Sequence, residues 1–298
     1  MPSETMSHDA ETAPSTVAVT PLAIHIGAEI GGVDLSRPLA PEQVRDIRAA
    51  LVRWKVVFFR DQPMNHRQHI DFSRQFGAVT PGHVVYGGDG EFPEIYPITK
   101  HRTANNFQDQ VLLRPWTGWH TDLTAAINPP MASILRGVVV PPYGGDTQFT
   151  SLVAAYNALS PAMRGFVDGL RGIHRNAPLQ EVKAGKEYEE LVKKRTLISE
   201  HPLVRVHPES GERALYAGPI HLKSIAGLSP RESQVMLEML WEHLVRTEFT
   251  VRFKWEPGSV AFWDNRAVQH YAASDYYPHK RILRRVTISG DRPYNNLD

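Results

Sequence analysis

The chain of 298 residues contains no cysteine. Without thiols it cannot form disulfides, thiolate zinc sites or iron–sulfur clusters, and it cannot use a cysteine nucleophile. It also lacks an excess of either charge, because 33 Lys and Arg against 32 Asp and Glu give a formal net charge of +1. Such a balance offers no electrostatic reason to bind nucleic acid or an anionic membrane, so a small molecule is the better expectation for a ligand.

Long apolar runs are missing as well. No stretch reaches the roughly 18 consecutive apolar residues of a membrane helix. The first residues, "MPSETMSHDAETAPSTV", are polar and lack the basic and apolar regions of a signal peptide. We therefore expect a disordered tail over residues 1–17 and a soluble, cytoplasmic protein with no membrane partner.

The rest of the chain alternates between strand and helix patterns. Short β-rich runs with glycine punctuation predict strands at 18–36, 55–62, 131–140, 143–151, 202–218 and after 250. Apolar residues at helical spacing predict helices at 40–54, 65–77, 152–170 (split before Pro161) and 229–245. We see no internal repeat, and therefore predict one domain over 18–298, with a β core and helices outside it.

Two segments, 80–115 and 176–200, have little periodicity and are too long for ordinary connections. Segments of this kind are typical of functional lids or disordered loops. We interpret both as lid insertions of the single domain.

A histidine and an aspartate stand two residues apart in "GWHTDLTAAINPP". On an extended segment this spacing points His120 and Asp122 to the same side, where they can bind one metal ion. The best third ligand is His270, which follows the apolar run "SVAFW" and the polar turn "DNR". Two imidazoles and one carboxylate form the facial set that leaves three positions open on ferrous iron.

The strand "RILRRVTISGD" adds cations. Arg281 and Arg285 lie four residues apart and share one face, so they can serve two different anions. Arginine is well suited to planar, bidentate carboxylate recognition. A solvated basic strand is the alternative interpretation, and it fits Arg284 and Lys280 better than the other two arginines.

Several motifs together resemble the taurine dioxygenase family of iron(II)- and 2-oxoglutarate-dependent oxygenases. They are "IGAEIGGVDLSRPL", "VVFFRDQ", "WHTD", "PPYGGDT", "HPLVRVHPESGERALY", "WDNRAVQHYA" and "RILRRVTISGDRP", and the likeness runs from about Val19 to Pro293. It implies a mainly β fold with flanking helices, a double-stranded β-helix or distorted jelly roll.

The resemblance also implies roles for single residues. His120, Asp122 and His270 would bind Fe(II), while Arg281 and Thr147 would bind 2-oxoglutarate. Arg285 would bind the sulfonate of the substrate, and the remaining contacts with the substrate would come from His83 and Tyr86 in the first lid and from Trp116. Trp116 replaces a lid asparagine of the taurine enzyme, and Leu179, Gln180 and His221 depart from the family at other pocket positions.

The implied reaction uses O2 and 2-oxoglutarate to hydroxylate the carbon next to the heteroatom of a small organosulfur anion such as a taurine-like sulfonate. Its products would be succinate, CO2, sulfite and an aldehyde. An alkyl sulfate ester, or another small carboxylate-bearing substrate, is an alternative with the same chemistry. The resemblance further implies a homodimer or homotetramer.

Two interpretations from other classes remain open. The same triad can hold zinc and activate water for hydrolysis, although a hydrolase has no evident need for Arg281 and Thr147. A jelly roll that binds an anion without catalysis would use the arginines and leave the triad without a role. Asp264, Asn265 and Gln269 flank the third ligand, where they can either orient the ligands or simply form the turn, whereas His201 and His207 are interpreted as structural.

Overall fold

The computed structural model describes residues 16–83, 87–98, 114–176 and 197–297. The predicted tail extends too far, because Thr16 already bonds Asp46 through its backbone N–H at 2.7 Å and Val17 is buried. Tyr86, Leu179 and Gln180 lie outside the described residues. No helix within the described ranges combines the length and the hydrophobicity that a membrane span requires.

The predicted mainly β fold with flanking helices is confirmed. The strands are β1 Ala18–Pro21, β2 Ala28–Gly31, β3 Val56–Phe59, β4 Tyr96–Ile98, β5 Ala132–Val139, β6 Thr147–Ser151, β7 Arg171–Arg175, β8 Ile198–Pro202, β9 Val204–Val206, β10 Arg213–Leu215, β11 Leu222–Ile225, β12 Thr250–Phe253, β13 Val260–Asp264, β14 Val268–Ala272 and β15 Ile282–Ile288. The helices are α1 Pro41–Trp54, α2 His66–Arg74, α3 Leu152–Asn157, α4 Pro161–Asp168 and α5 Pro230–Leu244, with a 3-10 turn at Thr247–Phe249.

Local chemistry explains where the longer helices begin. Ser229 caps α5 by accepting the backbone N–H of Glu232, and Pro230 occupies the first turn, where no N–H is needed. Asn65 caps α2 in the same way through Gln68. Ser160 and Pro161 begin α4, which confirms the predicted split of the 152–170 helix.

Two sheets form the double-stranded β-helix. The large sheet has the order β1-β2-β3-β13-β5-β15-β4, and the smaller sheet has the order β12-β6-β14. Aromatic residues from both sheets meet between them, including Phe58 and Trp263 from the large sheet and Phe149 from the small one. A second apolar cluster covers the outer face of the large sheet with α1 and α2, and a third joins α3, α4 and α5.

Part of the first predicted lid belongs to the sheet. Residues 96 to 98 form β4, which pairs antiparallel with β15 at the edge of the large sheet. Pro97 sits in this short strand, a position where proline is tolerated because the outer side needs no ladder hydrogen bond. The lid interpretation of the other residues in 80–115 and 176–200 stays a prediction, and most of them lie outside the described residues.

Candidate active site

His120 and His270 lie directly opposite each other. They form an isolated antiparallel bridge in which the backbone N–H of His120 donates to His270 at 3.0 Å and the N–H of His270 donates back at 2.8 Å. The ring centroids are consequently only 4.2 Å apart. Asp122 follows two residues later, and the candidate ligand atoms of the three side chains all lie within 4.8 Å of one another.

Neighbouring groups set the orientation of these side chains. The Nδ1 of His120 lies 3.0 Å from the carbonyl oxygen of Gly118, which can only accept, so Nδ1 carries the proton and Nε2 is left as a metal ligand. Gly118 has a φ of +88°, and a Cβ there would lie 2.9 Å from the Tyr271 ring. Only glycine fits this turn comfortably.

Asp122 is held by a chain of hydrogen bonds. Ser133 donates its hydroxyl to Oδ2 of Asp122 at 2.6 Å, and Asn265 donates Nδ2 to the Ser133 oxygen at 2.9 Å. Trp263 in turn donates its indole N–H to Oδ1 of Asn265 at 2.9 Å. Asn265 therefore supports the carboxylate of the triad, whereas the sequence interpretation left its role open.

The other two flanking residues behave differently. Asp264 is fully buried and binds Arg266, with Oδ2 also 3.0 Å from Nε2 of His207. His207 is thus structural, as predicted, and His201 is likewise buried, with Nε2 2.9 Å from the Ala126 carbonyl. Gln269 is buried, and its side-chain amide forms no hydrogen bond with any described residue, so it orients neither histidine.

The protonation states suit a metal site. Burial raises the pKa of Asp122, but Arg285, His270, His120 and the Ser133 hydrogen bond outweigh it and hold that pKa well below its usual range. Burial, with help from His120, lowers the pKa of His270 well below its usual value. At neutral pH the carboxylate is therefore ionised and the His270 imidazole is neutral, which are the forms that coordinate metals.

Arg285 lies within β15, Arg281 lies one residue before it, and both side chains are buried. Arg281 donates Nη2 to the Thr147 hydroxyl at 3.2 Å, and the indole N–H of Trp255 donates to the same oxygen at 3.0 Å. Thr147 lies two residues before Phe149, and Phe149 pairs with His270 across β6 and β14. The Arg281–Thr147 pair is therefore roughly 7 Å along the strand from the level of His270.

Arg285 lies four residues after Arg281 along the chain. Its Nη1 donates to Oδ1 of Asp122 at 2.5 Å, and its guanidinium lies 5.2 Å from the ring centroid of Tyr96. The ring of His83 lies 5.0 Å from the ring of Tyr96, at an interplanar angle of 32°. Sequence reasoning misses Tyr96, because nothing in "EIYPITK" indicates that this residue lies beside Arg285.

Two further candidates for the substrate pocket, Trp116 and His221, lie among described residues. Trp116 is half-buried, and its ring lies 6.3 Å from that of Trp241 on α5, at the edge of the helical cluster. The Nδ1 of His221 is buried and has no hydrogen-bond partner among the residues that the structure describes. Burial, and then the charge of His120, lowers the pKa of His221 to about 3, which places this neutral imidazole near the triad.

Comparisons with known proteins agree with this geometry. The family described as "Taurine catabolism dioxygenase TauD, TfdA family" matches residues 18–287. An alpha-ketoglutarate-dependent sulfate ester dioxygenase of Pseudomonas putida is 41% identical over 92% of this chain and 90% of its own length. An alkylsulfatase of Acinetobacter baylyi is 36% identical over 89% of this chain and 83% of its own length.

Solved structures give the same result. The crystal structure of a taurine dioxygenase from Burkholderia xenovorans superimposes with a TM-score of 0.83 at 56% identity, covering 94% of this chain and 92% of that one.

Proposed function

The chain belongs to the TauD/TfdA family of 2-oxoglutarate-dependent dioxygenases, and from this premise we propose that it uses ferrous iron to oxidise a small organosulfur anion such as a taurine-like sulfonate. One observation carries the proposal. The same space between the two sheets is lined by three groups of side chains: the His120–Asp122–His270 triad, the Arg281–Thr147 pair and Arg285.

The donor set fits iron. Two imidazoles and one carboxylate are the ligands of facial ferrous sites in oxygenases, and neither thiolate nor a fourth protein ligand is present among the clustered groups. His120 is oriented by the Gly118 carbonyl, and Asp122 by the Ser133 hydroxyl. These contacts fix the ligands before a metal binds, which is the role outer groups play in metal sites.

The cosubstrate site is formed by Arg281 and Thr147. A guanidinium and a hydroxyl that already contact each other can both donate to the distal carboxylate of 2-oxoglutarate. When bound, iron and 2-oxoglutarate would supply the oxidising power of the reaction with O2, with succinate and CO2 as the products of the cosubstrate. The protein itself contributes position and charge.

Arg285 is proposed to bind the sulfur anion. It is buried, and its Nε has no hydrogen-bond partner in the part of the chain that the structure describes, so it retains a donor for an incoming oxyanion. An anion held there brings the carbon next to its heteroatom toward the triad, because Arg285 contacts Asp122 directly. Hydroxylation of that carbon gives an unstable product that releases sulfite and an aldehyde. His83, Tyr86 and Trp116 remain proposed substrate contacts.

An alkyl sulfate ester is the second candidate substrate. It is favoured by the 41% identity with the Pseudomonas putida enzyme, which is named as a sulfate ester dioxygenase. Both candidate substrates carry a sulfur oxyanion, and in both the carbon next to the heteroatom is oxidised. Arg285 would therefore bind the anionic group of either substrate. They differ in the sulfur product, which is sulfite from a sulfonate and sulfate from an ester.

The deciding experiment is anaerobic reconstitution with ferrous iron, followed by exposure to O2 with 2-oxoglutarate and a panel of taurine, longer alkyl sulfonates and alkyl sulfate esters. Succinate with matching sulfite supports the sulfonate, and succinate with matching sulfate supports the ester. No succinate with any of them would contradict the assignment of Arg285 to a sulfur anion. Turnover that is supported by zinc and does not need 2-oxoglutarate would instead support a hydrolase. Ligand binding that does not depend on metal would support a jelly roll without catalysis.

A further inference from the structure

Two arginines face each other on the outer face of the large sheet. Arg136 of β5 and Arg284 of β15 are directly paired in the antiparallel register. Paired residues on adjacent strands have Cα atoms about 4.5–5.5 Å apart and project to the same face. This face is the opposite one from Arg285, because successive residues of a strand alternate in direction. The sequence interpretation of Arg284 as a solvated cation is therefore incomplete.

Within the described ranges, neither arginine forms an ion pair with a carboxylate. Arg136, only 8% exposed, donates to the Met64 carbonyl, and its Nη2 lies 3.2 Å from Nδ1 of His66. Arg284, half-buried, donates Nη1 to the Leu283 carbonyl at 3.2 Å. Both Nε atoms are buried without hydrogen bonds, and no ion pair formed by the described residues includes either guanidinium.

The surroundings add positive potential. His66 is the first residue of α2, whose first turn contains no acidic residue, so the positive end of the helix lies beside Arg136. Arg67 follows, with its guanidinium 5.5 Å from the Phe92 ring. Two carboxylates, Asp89 and Glu91, are near enough to raise the pKa of His66, yet burial, Arg136 and Arg284 lower it overall.

Like charges directly opposite each other destabilise a strand pair. A buried cation needs a counter-charge, and water or a carbonyl oxygen does not supply one. Two guanidinium groups with free N–H donors are well matched to an anion with several oxygens, to which each can donate.

We propose that Arg136 and Arg284, at the N-terminus of α2, form a binding site for a small tetrahedral oxyanion, inorganic sulfate or phosphate. The site is separate from the active site, because it lies on the other face of β15. Arg284 is half-buried and opens the pair to solvent, whereas Arg136 forms its floor. The bound anion offsets the repulsion between the two arginines and thereby stabilises the strand pair.

The test is thermal unfolding of the full chain in sodium sulfate, sodium phosphate or sodium chloride at equal ionic strength. It is done in an Arg281→Gln, Arg285→Gln background, which removes anion binding at the active site. We expect Tm to rise by roughly 3 °C at about ten times the Kd of the anion. Comparing Tm in sulfate with Tm in phosphate shows which of the two anions binds, and Tm in chloride gives the effect of ionic strength alone.

Adding Arg284→Gln should remove the response to sulfate and phosphate while leaving Tm in chloride unchanged or raised, since one of two repelling charges is gone. Arg231→Gln, at an exposed position of α5, is the matched control and should keep the full response. Arg284→Lys, which keeps one charge but loses the planar fork, should retain part of it. An anion response that survives Arg284→Gln, or no response beyond that of chloride in the parent, would overturn the proposal.

Discussion

The two faces of β15 use arginine in opposite ways. On the inner face, Arg281 meets the Thr147 hydroxyl and Arg285 meets the Asp122 carboxylate. On the outer face, Arg284 meets a second arginine, Arg136. The residue type and the strand are the same, so the role of each arginine is decided by the residue across the sheet and not by its own sequence neighbours.

The strongest test of the inner face removes its central anion. Asp122→Ala deletes both a metal ligand and the partner of Arg285, so we expect turnover to fall by at least about 1,000-fold and iron to bind weakly. Succinate formation and anaerobic iron titration measure the two effects. Asp71→Ala, at an exposed position of α2, should behave as the parent chain does. Substantial turnover in a folded Asp122→Ala variant would contradict the ligand assignment.

The second test separates the two inner arginines. Arg281→Met removes a charged donor from the proposed 2-oxoglutarate site, and we expect KM for 2-oxoglutarate to rise roughly 10–100-fold, with a smaller change in KM for the organosulfur substrate. Steady-state kinetics with each substrate varied in turn measures this. The adjacent and exposed Lys280→Met is the control. Equal effects on both KM values would show that Arg281 does not discriminate between the two anions.

The third test compares buried serines on the two sides of the large sheet. Ser133→Ala removes the donor to Asp122, and we expect a loss of about 10–100-fold in affinity for ferrous iron. Ser73→Ala removes a buried hydroxyl that donates to the His69 carbonyl on α2, far from the triad, and should leave metal affinity unchanged. Competition titration against a metal indicator gives both values. The same loss in both variants would indicate a general weakening of the fold.

The smallest expected effect is on the pH dependence of stability, and it comes from His69 on α2, outside the large sheet. Burial, and then Arg136, lowers the pKa of His69 to about 3. Between roughly pH 6.5 and the folded-state pKa of His69, the unfolded chain binds a proton at this residue that the folded chain does not, so the free energy of unfolding falls as pH falls. At pH 5 this one residue lowers the free energy of unfolding by about 2 kcal/mol. His69→Gln should flatten this decline in denaturant titrations, whereas the same change at exposed His25 should not. If the free energy of unfolding of His69→Gln falls with pH as steeply as that of the parent chain, His69 is not the cause of the decline.

The sequence was sufficient for the helices, for the strands that carry His270 and Arg285, and for the spacing of the triad. Helical spacing with Ser229 and Pro230 predicted α5, and the two-residue spacing of His120 and Asp122 predicted their shared direction. Alternation along β15 predicted the separate faces of its arginines. These features depend on residues near each other in the chain, which is why pattern alone reveals them.

What the sequence did not reveal depends on register between distant strands. Ser133 supports Asp122, Tyr96 lies against Arg285, and Arg136 opposes Arg284 only because β5, β4 and β15 pair as they do. The three-residue strand β4 contains proline and no alternation, so its sequence predicts part of a lid instead of a strand. No local pattern encodes these partners.

The most direct test of the account is the stoichiometry of turnover. With ferrous iron, 2-oxoglutarate and an organosulfur anion, we predict one succinate for each sulfite or sulfate released, and loss of both products in Asp122→Ala. Sulfur release without succinate, or turnover of equal rate when 2-oxoglutarate is withheld, would contradict it.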